Sequence, residues 1–109
     1  MDIQHLQTPA LILDMDVFEK NMATMNAFLA NTSMKLRPHY KSSKCTAIAH
    51  MQIAAGAIGL SCAKLSEAED LADAGIEDIL IANQVTDRAK VARVARLAQC
   101  CRLTVCVDS

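Results

Sequence analysis

The side chains most capable of chemistry are crowded into one stretch, Met34-Lys35-Leu36-Arg37-Pro38-His39-Tyr40-Lys41-Ser42-Ser43-Lys44-Cys45. It opens as a short strand and turns abruptly polar and cationic. If the strand runs in regular pleat to Lys41, then Arg37, His39 and Lys41 share one face and Leu36, Pro38 and Tyr40 the other. Three cationic or titratable groups on one face call for an anion or solvent opposite them. The plainer reading ends the strand near Arg37 and leaves a solvated loop.

Those residues must be positioned by the rest of the chain, whose pattern alternates. Ala10-Leu11-Ile12-Leu13 is a brief apolar run after Thr8-Pro9 and reads as a strand. Asp16 with Glu19 then reads as a capping box for a helix carrying the stripe Phe18, Met22, Met25 and Leu29. A second helix starts at about Lys44, buries Ala47, Ile48, Met51, Ala54 and Ala55, and stops at Gly56. Residues 58–62 read as a strand, and Ser66 with Glu69 as the cap of a helix that buries Ala68, Leu71 and Ala72 and ends at Gly75. Residues 78–82 form the next strand. A helix from about Asp87 to Gln99 buries Val91, Val94, Ala95 and Ala98, and residues 103–107 form the last strand. Strands of about five residues alternating with helices of about ten to thirteen predict an α/β fold with a parallel sheet, its strands apolar on both faces. The local grammar suits either a barrel or an open doubly wound sheet. No Gly-x-Gly-x-x-Gly or Gly-Lys-Ser/Thr loop provides a nucleotide cradle.

In both architectures ligands gather beyond the carboxyl ends of the strands. That rule selects Lys41, Cys62, Asn83, Gln84, Asp108 and Ser109. Each has a structural reading too: Cys62 as a small buried hydrophobe, Asn83-Gln84 as partners of loop backbone, and Asp108 as a helix cap. His5 and His50 read as exposed, and Lys90, Arg93 and Arg96 as a solvated helix face. A chain of 109 residues with net charge −1 is the size of one domain, with no general attraction for nucleic acid or an acidic membrane. Five cysteines without a Cys-x-x-Cys pair suit reduced thiols in a cytoplasmic protein, and no apolar stretch is long enough to cross a bilayer.

Arg37-Pro38-His39-Tyr40-Lys41-Ser42-Ser43-Lys44 resembles the Arg-Pro-His-x-Lys-Thr/Ser-His-Lys signature of the D-threonine aldolase and D-serine dehydratase family. These are fold-type III pyridoxal-phosphate enzymes with an alanine racemase-like barrel domain. The flanks agree: residues 8–14 with Asn21, then 62–69, then 74–80, in the family's order and spacing. The resemblance implies that Lys41 holds pyridoxal 5'-phosphate as an internal aldimine, with Arg37 and His39 around the cofactor. It also implies a lyase that splits D-threonine-like substrates by retro-aldol cleavage or dehydrates D-serine-like ones. Ser43 departs from the pattern, which usually has histidine there.

The resemblance further implies an N-terminal half of a (β/α)8 barrel, preceded by one strand and one helix. Residues 1–33 would be the leading strand and helix, the strand belonging to a C-terminal β domain, and 34–109 the first half of the barrel. A whole barrel takes about 250 residues. The chain is therefore expected to be an N-terminal portion that is inactive alone, with the ligands of any divalent metal elsewhere and a homodimer at full length. Two other readings stay open, a non-catalytic pyridoxal-phosphate carrier of the same fold and a cofactor-free doubly wound binding domain.

Overall fold

The computed structural model describes residues 3–108. Its centre is a parallel three-stranded sheet in the order β1-β2-β3, with β1 Leu60–Cys62, β2 Asp78–Ile81 and β3 Arg102–Val105. Helix α1 is Met15–Leu29 and α2 Thr46–Ala54; α3, Leu65–Asp73, and α4, Arg88–Leu97, are the crossovers between successive strands. The α/β alternation expected from the sequence is present, and each predicted strand from residue 58 onward has its counterpart.

Helices cover one face of the sheet. Leu60, Cys62, Ile79 and Ile81 are wholly buried there, with Leu65, Ala68, Leu71 and Ile76 packed over them. Val94, Leu97, Leu103 and Val105 extend the same cluster. The strands are not apolar on both faces as predicted: alternation puts Ser61, Asp78, Leu80, Arg102 and Thr104 on the other one.

Several local expectations shift once tertiary contacts are counted. Residues 10–13 form no strand, and Leu11, Ile12 and Leu13 stay exposed. Asp14, not Asp16, caps α1, its carboxylate accepting the Val17 N–H at 3.0 Å; Asp16 falls inside the first turn. The α1 stripe is only half buried: Phe18 and Met22 line a cleft of about 200 Å³ with Leu36, Pro38 and Ala57, and Met25 remains 43% exposed. In α2, Ala49 and Ile53 face the core, while Ala47 and Ala54 are exposed.

Helix α3 begins two residues earlier than the Ser66 cap predicts, with Lys64 at the cap position, and Glu69 is not its capping partner. That carboxylate receives Arg93 Nε at 2.9 Å and Arg93 Nη2 beside it, so Arg93 is not part of a solvated basic face. This bidentate pair joins α3 to α4 and raises the guanidinium's pKa further, chiefly through the hydrogen bond. Seated this way, α4 turns Val94 and Leu97 inward and leaves Val91, Ala95 and Ala98 exposed. Asp87 caps α4 as expected, accepting the Lys90 N–H at 2.9 Å.

Of the two readings of residues 34–41, a strand in regular pleat to Lys41 or one ending near Arg37, neither holds as stated: the segment runs beside β1 and pairs with it only at His39. Leu36 O accepts the Ile58 N–H at 3.0 Å, and Pro38 O accepts the Ser61 N–H at 2.7 Å. The sole ladder pairing is the parallel bridge His39–Ser61. Pro38 has no N–H to give, so the ladder cannot be completed through it. The chain then tightens into a 3₁₀ turn, Tyr40–Ser42.

Four outcomes follow from this packing. A Cβ at Gly59 would lie 2.3 Å from both Asp78 O and Arg37 Nη1, so Gly59→Ala should lower stability in denaturant titration by about 2–3 kcal/mol, an overpacking effect. Leu71→Ala should cost about 2–5 kcal/mol, whereas Val91→Ala, on the exposed side of α4, should stay within about 0.5 kcal/mol. Burial, reinforced by the Glu67 carboxylate, pushes the Cys62 thiol from 9.0 up to about 11. Iodoacetamide near neutral pH should therefore label Cys100 and Cys106, which are exposed, and spare Cys62. Because the folded-state value is the higher one, stability should fall as pH rises from about 9 to 11, and Cys62→Ala should flatten that decline.

Candidate functional site

The register fixes where the reactive stretch lies. His39 stands level with Ser61, Ser61 with Leu80, and Leu80 with Thr104. One residue beyond this row the strands are at Cys62, Ile81 and Val105, and two beyond it they have ended. Lys41, two residues past His39, is thus at the carboxyl end of the sheet.

Two consecutive residues there behave oppositely. Tyr40 is 3% exposed and belongs to the core cluster, and burial, with Asp70, Cys45 and Glu67 nearby, pushes its phenol up from 10.0. Lys41 is exposed. Its backbone N–H donates to Nδ1 of His39 at 3.2 Å, and the N–H groups of Ser43 and Lys44 both donate to Tyr40 O. The turn is tied at its base to a buried aromatic ring and presents its lysine outward.

The charged residues around Lys41 have partners of their own. Arg37 Nη1 donates to Asp78 Oδ1 at 2.9 Å and to Asp78 O at 3.3 Å, with Arg102 Nε 3.9 Å from Asp78 Oδ2. Asp78 opens β2, so Arg37 is engaged at the amino end of the sheet, opposite Lys41. Lys44 Nζ lies 3.7 Å from Oε1 of Glu67. Among the described residues, the Lys41 ammonium alone of these three side-chain cations has no ion-pair or hydrogen-bond partner.

The other sequence candidates act as ties between strand ends. Asn83 Nδ2 donates to Ala63 O at 3.4 Å, and Gln84 Nε2 to Asp108 Oδ2 at 3.2 Å. Asn83 and Gln84 also line a cleft of about 350 Å³ between the starts of α3 and α4, which Lys41 does not reach. Cys62 is sealed in the core, and its thiol contacts Lys64 O at 3.6 Å. Ser109 lies outside the described residues. His50 Nε2 lies 2.9 Å from Ala74 O. Sequence reasoning missed Glu67, which is 4% exposed and accepts the Ala63 N–H at 2.8 Å. The signal was an acid in the first turn of α3, where the choice of Ser66 as cap drew attention to Glu69 instead.

Among the described residues no group of three or more His, Cys, Asp or Glu side chains could hold a metal ion, and no helix is long and apolar enough to cross a membrane.

Comparison with known proteins gives the family and the fold. The chain is 43% identical over 107 residues to a D-threonine aldolase of an Arthrobacter species, covering 98% of this chain and 28% of the relative. The crystal structure of D-threonine aldolase from Filomicrobium marinum superposes with a TM-score of 0.94 at 50% identity, covering 98% of this chain and 29% of that one. The D-threo-3-hydroxyaspartate dehydratase from Delftia sp. HT23 superposes at 0.87 with 37% identity, covering 96% of this chain and 28% of that one. The chain thus spans under a third of the length of these relatives. Its residues 13–109 match the family described as alanine racemase, N-terminal domain, and the chain belongs to that family.

Proposed function

We propose that this chain carries the cofactor lysine of a pyridoxal-phosphate-dependent lyase acting on D-β-hydroxy amino acids, the activity belonging to a chain of the relatives' length. The observation that carries the proposal is Lys41 itself: an exposed, unpaired amine, among the described residues, at the carboxyl end of a parallel sheet and one residue from a buried anchor. Schiff-base chemistry needs an accessible amine that is not committed to a carboxylate. The donor set at this position fits the group on that ground.

Lys41 would hold pyridoxal phosphate covalently through Nζ, with His39 beside it. When bound, the pyridine ring supplies an electron sink for cleavage of a bond at the substrate's α-carbon. This chain's own contribution is mostly placement. His39 Nδ1 accepts the Lys41 N–H, so a neutral imidazole carries its proton on Nε2. Lys41 Nζ would serve as the base that takes a proton from the substrate α-carbon, the step that precedes loss of a β-hydroxyl. Retro-aldol cleavage of the Cα–Cβ bond instead leaves glycine and an aldehyde. Relatives named as aldolase and as dehydratase share this portion of chain at 43% and 36% identity, which supports a common lysine-bearing core serving either outcome. In this proposal the full-length protein is a cytoplasmic homodimer, and its substrate is a small D-amino acid.

Mixing the full chain with pyridoxal phosphate should produce a visible absorbance band, and borohydride followed by peptide mapping should fix the label on Lys41. Lys41→Ala should abolish both and lower turnover of D-threonine-like substrates by about 10²–10⁴-fold or more. A band that survives Lys41→Ala, or a label mapped to Lys35, Lys44 or Lys64, would refute the assignment.

A further inference from the structure

We infer that Glu67 is a positioning residue for the Lys41 turn, acting through Lys44; the inference rests on the reading of Lys41 given above. Glu67 is 4% exposed on a face of α3 otherwise occupied by Leu71, Ala68 and Leu65. An apolar side chain would suit that burial, and a serine or glutamine could accept the Ala63 N–H. A carboxylate does something further: Oε2 takes the Ala63 N–H at 2.8 Å, just past the end of β1, while Oε1 faces Lys44 Nζ at 3.7 Å. At that separation the link to Lys44 is charge attraction rather than a direct hydrogen bond.

Lys44 is the other half of the argument. With φ +46° it is the sole non-glycine residue in the left-handed region among those described. An L side chain is disfavoured there, and the conformation persists only where surrounding contacts impose it. Two contacts do so, the Lys44 N–H on Tyr40 O at 2.9 Å and the ammonium facing Glu67. The side chains are unequally exposed, 60% for Lys44 against 6% for Glu67. The carboxylate is therefore the fixed point and the lysine the group that comes to it. Since Lys44 makes the bend between the 3₁₀ turn and α2, this attraction closes the loop that begins at Lys41 and keys it to the end of β1.

The test compares the full chain with Glu67→Gln, Glu67→Ala, Lys44→Met and Lys44→Arg. Two readouts are followed, hydrogen exchange at the amides of residues 43–45 and the concentration of pyridoxal phosphate that half-saturates borohydride-trapped labelling of Lys41. Glu67→Gln keeps the Ala63 acceptor, so its Tm should hold, yet exchange should quicken and labelling weaken by about tenfold each. Lys44→Met, which leaves the core untouched, should match it, Lys44→Arg should stay within about twofold of the parent, and the Glu67→Gln/Lys44→Met double variant should be no worse than either single. Parent-like exchange and labelling in Glu67→Gln, or effects of the two single changes that add, would overturn the inference. Failure of the parent itself to label at Lys41 would overturn the cofactor assignment instead, while the exchange data would still decide whether Glu67 holds Lys44.

Discussion

A strand interrupted by proline has to be held by something other than its ladder. Here that constraint falls on Arg37, whose guanidinium passes over Gly59 to the first residue of β2. The backbone between Leu36 and His39 meets β1 through two carbonyl acceptors and one bridge, so it has few bonds of its own to fix its register. Arg37 reaches past β1 to Asp78 of β2, which also faces Arg102 of β3, so one carboxylate gathers three segments at one end of the sheet. The absence of a side chain at position 59 is what lets it through. An ion pair at the amino end thereby helps decide where the chain arrives at the carboxyl end.

The carboxyl end is assembled differently. No ladder continues there, and the ties are polar and local: Asn83 to the end of β1, Gln84 to the segment after β3, Glu67 to both Ala63 and Lys44. The helix-covered face supplies the apolar ballast on which these ties are mounted. The division of labour leaves an apolar, helix-covered sheet beneath and a rim of short polar turns above it.

What the sequence revealed and what it hid have physical causes. The alternation of strands and helices was readable because residues 58–62, 78–82 and 103–107 are short apolar runs bounded by Gly56, Gly75 and polar turns. Lys41 stood out because residues 37–44 resemble a family signature; the charge of its neighbours alone suited a solvated loop equally. The helix faces were harder, since several stripes fit a run such as Val91-Ala92-Arg93-Val94-Ala95, and only the Arg93–Glu69 pair across to α3 selects Val94 and Leu97. Residues 10–13 are as apolar as any strand here yet pair with nothing described, because periodicity reports what a segment would bury and not whether a partner is beside it. The regular pleat assumed for 34–41 would have put Arg37, His39 and Lys41 around one ligand. Pro38 and the 3₁₀ turn break that pleat, and Arg37 faces the opposite end.

Tyr40 and Lys41 are consecutive, one sunk in the core and the other in solvent, with no flexible spacer between them. Any change in volume beneath the phenol ring is therefore passed directly to the backbone that carries Lys41. Interior substitutions near Tyr40 would therefore shift the point from which the Lys41 side chain starts, even where they leave the fold intact.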